Sequence, residues 1–253
     1  MMNFPAMLMA AGGQLPSNGE QQSELLYIWS VATLEAKVII IILVIFSIFA
    51  WSVMAAKALQ MRRAKRMNGL FDQEFRKQKQ VFDIYDRRIQ VDGCPNFAVY
   101  QTGCAELESR LKSNLREGRK TSASLKSMEH VKRALERVVA QESLRLESGL
   151  IMLAIAVSGA PFLGLLGTVW GVMSTFSAIA REHSASLATM APGVSAALVT
   201  TVAGLLVAIP SMFGYNWLVH TLRVLTVELD NFAQELVSKM ENEYLREDEL
   251  EHV

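Results

Sequence analysis

The sequence predicts an all-α integral membrane protein with three transmembrane helices and long cytoplasmic helical extensions. Three observations predict it. Three apolar runs free of Asp, Glu, Lys and Arg are each long enough for a helix to cross a bilayer. Charge is segregated by segment, although 25 basic residues balance 25 acidic ones over the 253-residue chain. The charged segments repeat apolar residues at three- and four-residue steps, which is the helical period. A disordered chain is excluded by 51% apolar residues, and a disulfide-stapled secreted domain by only two cysteines.

The elements follow in order. Residues 1–36 hold no Lys or Arg and three acids, Glu20, Glu24 and Glu35. The opening MMNFPAMLMAAGG lacks the basic start of a signal peptide. It is read as an external tail, followed by a short helix. The first span is 37–56. Its core, Val38 to Ala56, is 19 residues without charge between Lys37 and Lys57, or roughly 28 Å of helix. Residues 57–147 carry twenty basic and twelve acidic residues. Lys57, Arg62, Arg63, Lys65 and Arg66 follow the first span at once, so this segment is placed in the cytoplasm and the N-terminus outside. The run at 62–66 reads as an anchor against lipid headgroups, and no nucleic-acid partner is expected.

VDGCPN at 91–96 is turn chemistry between helices. From Ser122 to Glu147, Leu125, Met128, Val131, Leu135, Val138 and Leu146 form an amphipathic stripe, with Thr121 or Ser122 as the cap. This helix is expected to continue unbroken past Gly149 into the second span, 148–180. An external turn at 181–191 leads to the third span, 192–219. A cytoplasmic C-terminal helix over 220–253 continues the period through Leu225, Leu229, Phe232, Leu236, Met240 and Tyr244.

No phosphate loop, zinc spacing or nucleophile–base motif occurs, so neither enzyme activity nor a cofactor or metal site is expected. Cys94 and Cys104 are expected to be free thiols. An ion path through a membrane needs ionisable groups, and the second and third spans contain no Asp, Glu, Lys or Arg. The chain is therefore either a structural membrane protein or an incomplete part of an ion pathway. Small-residue faces favour the second reading. Pro161, Gly164, Thr168, Gly171 or Val172, and Thr175 share one face of the second span. Ala197, Thr201, Gly204 and Ala208 share one face of the third. The two faces are expected to line a passage that admits another helix. For any single threonine the simpler alternative is a hydrogen bond back to its own helix.

GLLGTVWGVMSTF (Gly164–Phe176) and APGVSAALVTTVAGLLVAIPSMFGYN (Ala191–Asn216) resemble the MotA/TolQ/ExbB proton-channel family, in its TolQ/ExbB-like branch. The resemblance covers roughly 25–253. It implies a homopentamer around the paired helices of a smaller TolR/ExbD-like partner, two copies of a single-span protein whose aspartate supplies the missing charge. Proton motive force across the bacterial inner membrane would then drive work in the cell envelope, with a TonB- or TolA-like protein as a further partner. By motif position Thr168 and Thr201 match the pore-facing threonines. Thr175, Ala197 and Gly204 are expected to line the same pathway. Pro161, Gly164, Gly167, Gly171 and Ala208 are expected to serve helix packing and partner contact. Thr200, one residue round the helix, is expected to matter less. One departure stands out: Ala196 occupies the position where TolQ and ExbB usually carry glutamate, which leaves the branch and the process driven open. Two other functions compete, a subunit of a membrane transport or export complex and a non-conducting membrane scaffold.

Overall fold

A computed structural model describes residues 33–116, 122–182 and 187–245. The expected tail over 1–32, Thr121, the middle of the expected external turn (183–186) and residues 246–253 lie outside them. Five helices carry the described chain: α1 (Leu34–Lys77), α2 (Pro95–Arg116), α3 (Leu125–Glu147), α4 (Leu150–Glu182) and α5 (Leu187–Tyr244). Of these, α1, α4 and α5 are long and apolar enough to cross a membrane.

Local chemistry explains most boundaries. The Thr33 hydroxyl accepts the Ala36 N–H at 3.4 Å at the start of α1. Glu35 in the first turn and Arg76 and Lys77 in the last complement its dipole. Pro95 opens α2 at a position where its missing N–H costs nothing, just after a turn with Gly93 at φ 80°. The α3 cap is Ser124, which accepts from the Ser127 N–H at 3.2 Å. The expected cap Ser122 lies two residues earlier and precedes the helix.

The expected continuous helix from 122 into the second span is broken. Ser148 closes α3 with its N–H on the Leu144 carbonyl at 2.9 Å, and Gly149 takes φ 86° before α4 begins. A single glycine at the join is enough, because only glycine enters the left-handed region without steric cost. The expected turn at 181–191 is largely helical among its described residues. Helix α4 includes Arg181 and Glu182, and α5 already starts at Leu187, since Leu187–Ala191 contains no residue that breaks a helix.

The described residues divide into two compact units, one drawn from 1–48 with 156–209, the other from 49–155 with 210–253. The second is a helical bundle around an aromatic cluster. Phe71 meets Phe97 and Phe232 edge to face at 5.6 and 5.8 Å, and Phe75 meets Phe232 at 5.3 Å. Leu107, Met128, Val131, Leu135, Leu229, Leu236 and Met240 complete this core. The stripe expected on α3 holds, except that Val139 is buried while Leu125 is exposed. Tyr100 is fully buried. Its hydroxyl donates to the Val81 carbonyl at 2.5 Å and accepts the Tyr85 N–H at 2.9 Å. The last turns of α5 tie down the segment after α1: Lys239 donates to the Gln78 carbonyl at 2.7 Å, and Glu243 accepts the Val81 N–H at 2.8 Å.

In the other unit, Ile39 and Leu43 of α1 pack with Ala160 of α4 and with Val207 and Ala208 of α5. Ala36 packs on Ala196. Large apolar side chains on the remaining faces, among them Ile45, Phe162, Leu166, Val169, Val202 and Leu206, are exposed in the single chain. Such faces suit lipid or further protein subunits.

Candidate functional site

The small-residue faces of α4 and α5 meet each other. A methyl added to Gly204 would lie 2.6 Å from the Ala160 carbonyl oxygen and 3.1 Å from the Gly164 Cα. One added to Gly164 would lie 2.8 Å from the Thr200 carbonyl oxygen, and one on Gly171 would lie 2.7 Å from the Ala197 Cβ. Backbones approach this closely only where side chains are absent or small. Gly164, Gly167, Gly171, Ala197 and Gly204 are thus taken up by contact within one chain. At these positions the two faces expected to line a passage pack directly on each other in the single chain, with Thr200 seated against Gly167 between them. Ala208 joins the cluster with Ile39, Leu43 and Ala160. Pro161 is partly exposed inside α4 and lies outside the threonine cluster.

Within this contact three hydroxyls converge on two carbonyls. Thr168 Oγ1 lies 3.2 Å from its own helix's Gly164 carbonyl and 3.2 Å from the Ala197 carbonyl of α5. Thr201 Oγ1 lies 3.2 Å from the Gly164 carbonyl across the contact. The Thr168 and Thr201 hydroxyls are hydrogen-bonded to each other. Both side chains remain partly exposed.

Thr175 behaves differently. Its hydroxyl donates back to the Gly171 carbonyl at 2.8 Å, and its side chain packs on Gly193. The bland alternative for a lone threonine therefore describes Thr175, whereas Thr201 bonds across to α4.

Thr200 is the residue undervalued by sequence reasoning. It is 0% exposed, and its Oγ1 lies 2.7 Å from the Ala197 carbonyl and 3.0 Å from the Gly164 carbonyl. Gly167 makes room for it, since a methyl there would come within 2.5 Å of the Thr200 oxygen. The signal was present: Ala197, Thr200, Gly204 and Ala208 also recur at helical steps, of three, four and four. Ala196 sits on α1 through Ala36, both nearly fully buried. That contact is buried and apolar, with alanine on both sides.

Helices α4, α5 and the first part of α1 thus define a multi-span membrane protein in which the uncharged stretches of α4 and α5 are joined by hydroxyl and glycine contacts. Residues 105–231 match the MotA/TolQ/ExbB proton channel family. The Tol-Pal system protein TolQ of Pseudomonas aeruginosa is 32% identical over 191 residues, covering 74% of this chain and 81% of its own. TolQ of Haemophilus influenzae is 30% identical over 213 residues, covering 82% of this chain and 89% of its own. The biopolymer transport protein ExbB of Pseudomonas putida is 35% identical over 185 residues, which is 73% of this chain and 54% of that protein. The chain belongs to the MotA/TolQ/ExbB proton channel family, on its TolQ/ExbB-like side. Three apolar helices and these relatives fit a multi-pass inner-membrane protein of the Tol/Exb energy-transducing kind.

Proposed function

We propose that this chain is the stator subunit of an inner-membrane motor that uses proton motive force to do work in the cell envelope. Five copies surround a TolR/ExbD-like single-span partner, two copies of which bring an aspartate into the membrane. The N-terminus faces the periplasm, and the charged helical regions face the cytoplasm. A TonB- or TolA-like protein carries the work outward. The partner's carboxylate meets the partly exposed Thr168–Thr201 pair.

One observation carries this reading: two hydroxyls pair across α4 and α5 in a region with no charged side chain of its own. An ionised carboxylate left unpaired in lipid-like surroundings costs several kcal/mol. Hydroxyls repeated around a ring of subunits supply donors and acceptors without trapping the charge. Thr→Val keeps the side-chain shape and removes the hydroxyl. The Thr168→Val/Thr201→Val double variant is expected to lose proton-driven work at unchanged membrane level and unchanged partner association. Full activity in that variant returns both residues to helix packing, and absence of proton-driven work in the wild-type complex favours a non-conducting scaffold.

A further inference from the structure

Counting protons in the α4–α5 contact assigns a separate part to Thr200. In a helix each carbonyl gives one lone pair to the N–H four residues on, here Gly164 to Thr168 and Ala197 to Thr201. Each carbonyl keeps one lone pair, so two places exist for three hydroxyl protons. Thr200 is 0% exposed; its Oγ1 also lies 3.5 Å from Thr168 Oγ1, too long to compete with its two reachable carbonyls, Ala197 at 2.7 Å and Gly164 at 3.0 Å. Its proton occupies one of the two. Thr168 and Thr201 then share the other: Thr168 reaches either carbonyl at 3.2 Å, Thr201 reaches Gly164 at 3.2 Å. One of the pair donates to that carbonyl. The remaining proton rests on the neighbouring hydroxyl oxygen, through the Thr168–Thr201 bond. That proton can turn toward the partly exposed side without depriving a carbonyl of its partner.

We infer that Thr200 is a positioning residue that keeps one proton of the Thr168–Thr201 pair available to a carboxylate from a partner helix. This rests on the function proposed above, in which the pair meets such a group. An ionised carboxylate only accepts, whereas a protonated acid also donates. A pair with an available proton favours the ionised form. Without the Thr200 hydroxyl, both protons of the pair find carbonyls, the pair presents lone pairs, and the protonated form is favoured.

Other ionisable groups do not crowd the site. Residues 150–180 of α4 and 38–56 of α1 contain no Asp, Glu, Lys, Arg, His or Tyr, and residues 187–219 of α5 contain only Tyr215, well beyond Thr201. The charges flanking 38–56 on α1 are Glu35 and Lys37, on either side of the Ala36 that packs on Ala196, and Lys57 at its other end.

The test uses the complex purified from its own cells through a tag on this chain and reconstituted into proteoliposomes. Proton flux is followed across a range of pH for the wild type, Thr200→Val and Thr200→Ser. Thr200→Val keeps the branched shape against Gly167 and is expected to move the midpoint of the pH profile about one unit to higher pH, as loss of one hydrogen bond to a charged group implies. Thr200→Ser keeps the hydroxyl and is expected to return the midpoint to the wild-type value. Should the valine variant fail to assemble, Thr200→Ala makes the same comparison. An unmoved midpoint in the hydroxyl-free variant overturns the inference, and so does a serine variant that stays shifted. The Thr168→Val/Thr201→Val variant is measured alongside. If it is inactive while the hydroxyl-free Thr200 midpoint is unmoved, only the positioning role fails. If it conducts like the wild type, the pair has no part in the proton path and the positioning role falls with it; if the wild-type complex itself carries no proton flux, the proposed function fails.

Discussion

A glycine and a threonine contribute to the α4–α5 contact in opposite ways. Gly204 brings two backbones together, and a methyl there meets the Ala160 carbonyl and the Gly164 Cα, neither of which can swing aside. Gly204→Ala and Gly164→Ala are each expected to cost about 1–3 kcal/mol by overpacking, read as a lower melting temperature of the detergent-solubilised protein. Gly159, on α4 with Gly164, is the control. A methyl there meets nothing within 4 Å, so Gly159→Ala should leave the melting temperature unchanged or raise it slightly. Equal effects at Gly159 and Gly204 would contradict the packing described. The threonines add direction to this contact. Their presence was legible in the sequence because hydroxyls are conspicuous in an uncharged run. Which of them turns inward was not legible. Thr200 and Thr201 differ by one step of about 100° around the helix, and either fits the small-residue period. Only the position of Gly167 on α4 decides that Thr200 takes the closed side.

Among the elements, the join between α3 and α4 departs furthest from the expected chain. A continuous amphipathic-to-apolar helix was expected because Gly149 alone interrupts the pattern. Its φ of 86° ends α3 instead, and Lys57 of α1 covers the exposed end. The Lys57 ammonium donates to the Leu146 carbonyl at 3.3 Å, the Ser148 hydroxyl at 3.4 Å and Gln60 Oε1 at 2.9 Å. A cation over the last carbonyls of a helix is favourable on both hydrogen-bonding and dipole grounds. Gly149→Ala is expected to destabilise the chain by about 1–2 kcal/mol, the cost of a left-handed non-glycine residue; its added methyl also lies 3.3 Å from Lys57 Cε. Thermal melting beside the wild type measures this, and an unchanged melting temperature would mean that α3 and α4 do not need the break. The α3 and α5 helices were legible because their signals are local, apolar steps of three and four along each, whereas Pro95 and Asn96, read as part of a turn, open α2.

At the scale of the whole molecule, the proposed orientation rests on where the basic residues lie, with 23 of the 25 assigned to the cytoplasm. The native cysteines do not report on it. Cys94 and Cys104 are 3% and 0% exposed, and burial pushes the Cys104 thiol up to about 12 from an ordinary 9.0, so neither thiolate forms near neutral pH. An exposed position is needed, and Ser109 on α2 supplies one. Ser109→Cys is expected to resist a membrane-impermeant thiol reagent in intact spheroplasts and to react once the membrane is opened, while Ser17→Cys reacts in both. Labelling of Ser109→Cys from outside would reverse the orientation.

The sequence by itself determined the class of protein. Long uncharged runs, segregated basic residues and two motifs are one-dimensional signals, and the cost of charge in lipid leaves them few other readings. It also determined that no charge for an ion pathway comes from the second and third spans of this chain. Tertiary structure decided what the small residues do. A stripe of glycine, alanine and threonine suits a wall facing a pore or a seam between neighbours, since both need little bulk and some polarity. The choice depends on which surface lies opposite, and that is a property of the packed helices. Here α4 and α5 close on each other, so the glycines form the seam. The partly exposed Thr168–Thr201 pair, with Thr200 locked behind it, is the polar group that the folded unit retains at that seam.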